Sequence, residues 1–119
     1  MYTLISPLRT KEMILNLNQY RNAHFFKLNN SKTSYKAIMK EQIEQLPEFE
    51  TVKITYTVFF GSKRKTDISN VCSIVDKYFC DALVELGKLP DDNYDYIQEV
   101  NYRYGGIDKD NPRVEITLA

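Results

Sequence analysis

The sequence predicts a small α+β domain, a mixed or antiparallel sheet with two helices packed on it and a closing C-terminal hairpin. Three stretches carry that expectation. TVKITYTVFF, residues 51–60, is rich in β-branched and aromatic side chains. Its Val52, Ile54, Tyr56 and Val58 alternate with Lys53, Thr55 and Thr57, the period of a half-buried strand. From Ile68 onwards apolar residues recur at 68, 71, 75, 78, 79, 82, 83 and 86, one face of an α-helix. YIQEVNYRY (96–104) and RVEITL (113–118) read as two strands joined by GGIDKDNP, an antiparallel hairpin.

The remaining elements follow in chain order. Residues 2–5 suit a short strand. Leu15 to Asn30 is polar, aromatic and basic without a period, and reads as an extended loop. Ser31 or Thr33 suits the N-cap of a helix running through YKAIMKEQIEQL and stopping at Pro47, with Ala37, Ile38, Ile43 and Leu46 as its apolar stripe. Gly61 and Ser62 end the strand that precedes the main helix. Asp67 or Ser69 can cap that helix, and Gly87 falls where a left-handed C-terminal residue belongs. Pro90, Asp91, Asp92 and Asn93 make a turn.

Totals bound the function. Residues 1–119 are expected to form a single domain, and 43% hydrophobic with 27% charged residues is ordinary for a globular chain. No apolar run approaches the roughly 18 residues that span a bilayer, and MYTLISPLRTKEM has no basic segment leading into an apolar one. A cytosolic location is expected, without a membrane partner. Cys72 and Cys80 agree with that. Eight residues apart on one helix, they stand roughly 12 Å from each other, beyond disulfide reach. One histidine leaves little for a Cys/His zinc site, so free and buried thiols are expected.

The zero net charge conceals a division. Residues 1–65 hold eleven Lys/Arg against five Glu, net +6, and residues 66–119 hold five Lys/Arg against eleven acids, net −6. The two signs meet in GSKRKTDISNVCSIVDKYFCDALVELGKLPDDN, residues 61–93. At 100° per residue Asn70, Ser73, Asp76, Lys77 and Asp81 fall opposite the apolar stripe, with Asp67 before the helix and Asp92 beyond it. A divalent ion reconciles cations and acids. Mg²⁺ is held by one or two carboxylates plus substrate phosphates, and adjacent cations neutralise the rest of a phosphodiester backbone. That pattern suits metal-dependent phosphodiester cleavage.

Residues 61–93 also resemble the RusA-like Holliday junction resolvases, small dimeric endonucleases that cut four-way DNA junctions. The family runs from a basic stretch into Asp-x-Asp-Asn at a helix start, then Asp-Ala-Leu, Gly and a pair of Asp; this chain reads KRK-T-D-I-S-N, C-D-A-L and G-K-L-P-D-D. Upstream LNQYRNAHFF and the closing strands fit the same order. The resemblance implies a metal set of Asp67, Asp76, Asp91 and Asp92, with Asp67, Asp76, Lys77 and Asp92 as the catalytic residues and Asn70 as the family asparagine near DNA. It implies Mg²⁺, with Mn²⁺ as the alternative, branched or four-way junction DNA as substrate, and a homodimer. The chain departs from the family in two places. Ser69 stands where the second Asp belongs, and one extra helical turn brings Asp76 beside Lys77, where it can replace the missing carboxylate.

Lys63, Arg64 and Lys65 are expected on phosphate, and Arg21 and Lys27, interleaved with Tyr20, Phe25 and Phe26, on the DNA backbone beside unpaired bases. Two other readings compete with the nuclease. One is a junction or single-strand binder that has lost the chemistry, for which Ser69 speaks. The other is a protein-interaction module that uses the acidic half.

Overall fold

The computed structural model describes all 119 residues. The element order is β1 (Tyr2–Ser6), α1 (Leu17–Asn22), α2 (Phe25–Glu44), β2 (Val52–Phe60), α3 (Ile68–Glu85), β3 (Ile97–Ile107) and β4 (Arg113–Leu118). The four strands form one sheet in the order β1-β4-β2-β3, and only β2 and β3 run parallel. The expected α+β class with a mixed sheet is therefore present, carrying three helices instead of two. No helix is long and apolar enough to cross a membrane.

Alternation places each strand. Val52, Ile54, Tyr56 and Val58 of β2 and Val114, Ile116 and Leu118 of β4 are buried towards the helices. Their neighbours Lys53, Thr55, Thr57 and Glu115 form a polar outer face, since no second layer covers it. Against this sheet α3 lays the predicted stripe, with Val71, Val75, Tyr78, Phe79, Ala82 and Leu83 buried. It ends as expected, with Gly87 at φ 77°, a conformation that favours glycine.

Three expectations fail, each for a physical reason. First, residues 113–118 do not form a hairpin with residues 97–107. Both strands pair with β2, on opposite sides of it. The connection through Asp108–Pro112 steps over the end of β2 at Gly61, where an added Cβ would come within 3.3 Å of the Pro112 ring. Adjacency in sequence predicted a pairing that β2 pre-empts.

Second, Leu15–Asn30 is not a loop. Asn16 caps α1 by accepting from the Gln19 amide at 2.8 Å, and α2 begins at Phe25, well before Ser31 or Thr33. The first turn and a half of α2 is nearly all exposed, so it shows no apolar period. It continues a helix already nucleated and anchored further along. Third, the buried side of α2 is Ser31, Tyr35, Met39 and Ile43, spaced by four, while Ala37 and Ile38 face solvent. Ser31 is no cap. It is buried and bonded to Thr10 at 2.8 Å, and Tyr35 meets Ser6 at 2.7 Å.

The two sheet edges are treated differently. At β1, the Gln42 side chain of α2 pairs with both backbone groups of Ile5, at 2.7 and 2.9 Å, and blunts the edge. At β3 nothing does. Val100, Tyr102 and Tyr104 sit opposite Ile54, Tyr56 and Val58 and share their face, yet they remain 41, 36 and 56% exposed. α3 lies over β2 and reaches β3 through the Tyr102–Asp76 hydrogen bond, leaving the inner face of β3 partly exposed.

Candidate functional site: a cleft between α3 and β3

The partly exposed face of β3 and the near flank of α3 border two grooves of different chemistry, divided where the Tyr102 hydroxyl reaches Asp76. One is an acidic groove of about 240 Å³ lined by Asp76, Lys77, Cys80, Asp92, Tyr94, Ile97 and Val100. The other is a basic groove of about 460 Å³ whose walls include Phe60, Lys63, Arg64, Lys65, Tyr104 and Ile107. Val100 and Tyr104 are four residues apart on one strand face, so the two ends are separated by roughly 13 Å along β3.

Asp76 is the organising residue of the acidic end. Its Oδ1 accepts from the Tyr56 hydroxyl at 2.7 Å and the Cys80 thiol at 3.2 Å, and its Oδ2 accepts from the Tyr102 hydroxyl at 3.0 Å. A carboxylate offers about four lone-pair sites, so three are occupied and about one remains on Oδ2. Burial and the neighbouring carboxylate push Tyr56 and Tyr102 well above the ordinary phenol range, which keeps both as donors. Burial, then Asp76, pushes the Cys72 thiol up to about 12, and Cys80 rises for the same reasons. Both thiols are free, as expected, and neither is a nucleophile at neutral pH.

Asp76 therefore does not lie on the solvated face that the helical wheel assigned to it. Cys72, Asp76 and Cys80 are spaced by four, on one line of α3, and both cysteines are buried. That spacing was the available signal that Asp76 faces the sheet. Tyr56 and Tyr102, directly opposite each other on β2 and β3, were missed because each alone reads as strand packing.

The other predicted residues separate into those that join Asp76 and those that do not. Asp92 shares its groove. Desolvation, a hydrogen bond with Asp91 and the charges of Asp81 and Asp91 raise its pKa. Asp91 holds its own turn together, accepting from the Asp92 amide at 2.7 Å and from the Asn93 side chain at 3.2 Å. Lys77 lines the groove without an ion pair; its ammonium lies 5.9 Å from the Tyr20 ring, and Asp81 pairs with Lys32 instead.

Asp67 is elsewhere. It holds the N-cap position of α3 without a side-chain capping bond, nine residues and so roughly 13 Å of helix from Asp76. It cannot share an ion with Asp76 and Asp92. The expected Asp67–Asp76–Asp92 set is thus not assembled within one chain, and no group of three or more His, Cys, Asp or Glu side chains is placed to hold a metal. Asp76, with one lone pair remaining, and Asp92 are the two acids that line the same groove.

Lys63, Arg64 and Lys65 are exposed and none makes an ion pair within the chain. Arg21 and Lys27, at the α1–α2 junction, are likewise unpaired, beside Phe25 and Phe26, each about two-thirds exposed. Asn70 is the exception among the expected DNA contacts. It is half-buried, and its Oδ1 accepts from the Leu17 amide at 3.1 Å, which fastens the start of α1 to α3. The chain matches no protein-family model and no curated protein sequence.

Proposed function

We propose that the protein is a metal-dependent endonuclease acting on branched DNA, in the manner of the RusA-like resolvases that residues 61–93 resemble. The observation that carries this reading is that two grooves of opposite character border one strand, β3. Unpaired cations at one end and a carboxylate pair with a free ammonium at the other border the same strand face. The roughly 13 Å between them lies within the reach of one short stretch of DNA backbone. A strand whose backbone is held by Lys63, Arg64 and Lys65 would bring a phosphate to Asp76, Lys77 and Asp92.

The chain's residues then have separate tasks. Tyr56, Tyr102 and Cys80 fix the Asp76 carboxylate so that one oxygen faces the groove. Asp92 completes the pair, and Lys77 meets a non-bridging phosphate oxygen. Mg²⁺ or Mn²⁺, when bound there, supplies Lewis-acid polarisation of the phosphoryl group and a water of lowered pKa. A four-way junction needs two symmetric nicks, which a two-fold dimer presenting two such clefts provides.

Two observations favour the second reading, a junction or single-strand binder without chemistry. Three of the four Asp76 lone-pair sites are already filled by protein donors, and Ser69 stands where the resolvases carry Asp. The separating experiment incubates purified protein with a labelled synthetic four-way junction, with and without Mg²⁺. Paired nicking in Mg²⁺, lost by at least a hundredfold in Asp76→Asn and Asp92→Asn but kept in Asp67→Asn, supports the nuclease. A gel shift without nicking leaves the binder. Neither shift nor nicking removes both.

A further inference from the structure

The basic groove is more than a patch of cations. Its floor is aromatic: the Phe60 and Tyr104 rings are 6.2 Å apart and tilted by 30°, and Ile107 lies beside them. Tyr104 is 56% exposed and Ile107 42%, although both belong to a strand of the only sheet. A surface made solely for phosphate has no use for exposed rings, and a surface made solely for apolar contact would not be rimmed by Lys63, Arg64 and Lys65.

We infer that this groove seats an unpaired nucleotide of a DNA strand, its base against Tyr104 and its flanking phosphates on the three cations. This rests on the nucleic-acid reading above and adds the state of the DNA at that point. Stacking needs a free π-face, which a base inside a duplex does not offer and an unpaired base does. The groove volume of about 460 Å³ lies in the range, roughly 300–1,000 Å³, of sites that enclose a small ligand. An acidic peptide would satisfy the cations but offer no flat partner to the rings. The start of α3 adds its positive dipole end at Ile68.

The test is fluorescence anisotropy in EDTA, which prevents cleavage, with a short labelled oligothymidylate and a duplex of equal length as probes. Wild-type protein should bind the single strand more tightly than the duplex. Tyr104→Ala should weaken single-strand binding by roughly 5- to 150-fold while Tyr104→Phe stays near wild type, because one stacked base is at stake. Arg64→Ala should weaken both probes and flatten the log–log salt dependence for the single strand by about 0.7. Thermal unfolding of each variant guards against misfolding, and the exposure of both side chains makes that outcome unexpected. Equal binding by Tyr104→Ala and wild type, with Arg64→Ala still impaired, overturns the base seat and leaves the nucleic-acid reading standing. Failure of the wild-type protein to bind either probe at low salt overturns both.

Discussion

Tyr56→Phe isolates the interaction that sets the acidic end of the cleft. Tyr56 is fully buried, and its hydroxyl donates to Asp76 Oδ1 at 2.7 Å. Deleting one oxygen leaves the ring packed against Phe79 and Tyr102, so little cavity forms. A hydrogen bond to a charged group contributes about 1.5–3 kcal/mol. Asp76 is half-buried and keeps Cys80 and Tyr102 as donors, which places the expected loss near the lower limit, about 1.5–2 kcal/mol. For a chain slightly above 100 residues that lowers Tm by roughly 6–8 °C. Tyr102→Phe is the internal control. Its hydroxyl makes the same kind of bond at 3.0 Å, but water can replace it, because the residue is 36% exposed. Its cost should stay near 0.5 kcal/mol. Urea unfolding followed by far-ultraviolet circular dichroism at pH 7 measures both, and a double-mutant cycle of each with Asp76→Ala apportions the coupling. The expected coupling is about 1 kcal/mol or more for Tyr56 and close to zero for Tyr102. Equal losses in the two phenylalanine variants, or no coupling between Tyr56 and Asp76, would refute the claim that a buried phenol fixes this carboxylate.

Asp92→Asn should stabilise the protein at neutral pH. The folded pKa of Asp92 lies above its ordinary value of 3.8, so the folded state binds this proton more tightly than the unfolded one. Its unfavourable charge acts above the folded pKa and fades as pH falls towards 3.8, so the gap between variant and wild type should close below that point in pH-dependent unfolding. Gly105→Ala should cost about 1–2 kcal/mol in urea unfolding. The new Cβ would meet the Phe59 ring at 2.6 Å, and that ring is itself held 4.1 Å beneath the Arg113 guanidinium.

Sequence reasoning located the elements whose burial is one-sided and regular. β2 and α3 alternate between core and solvent with their own periods, so their side chains announce them. α1 turns only Leu17 and Tyr20 to the core and the start of α2 exposes nearly everything, so neither leaves a trace in hydropathy. The pairing of β3 and β4 was illegible for another reason. Both strands carry the right composition, but which neighbour each takes depends on β2 lying between them. A connection through Asp108–Pro112 is long enough either to turn back or to step across. The site divided in the same way. Position along the chain fixed which acids stand near α3, and the roughly 13 Å of helix between Asp67 and Asp76 then decided which of them can act together.

The same geometry says why the two charge signs lie together in a chain of no net charge. Covering Val100, Tyr102 and Tyr104 would be favourable, at about 25 cal/mol for each Å² of apolar surface removed from water. The fold has a helix beside them that could have leaned further. Instead α3 packs towards α2, where Tyr78 meets Tyr35 at 5.6 Å, and its other flank turns Asp76 under the sheet edge to Tyr56 and Tyr102. A carboxylate bonded in this way ties α3 to both β2 and β3. The acid thus holds the helix to the sheet edge, while Lys63, Arg64 and Lys65 stay without an ion pair although Asp67, two residues on, makes no side-chain bond of its own. On this argument Asp76→Leu, which removes both links and strands the buried Tyr56 hydroxyl, should cost about 1–3 kcal/mol and speed hydrogen exchange along β3; unchanged stability and exchange would mean that this carboxylate does not hold α3 to the sheet.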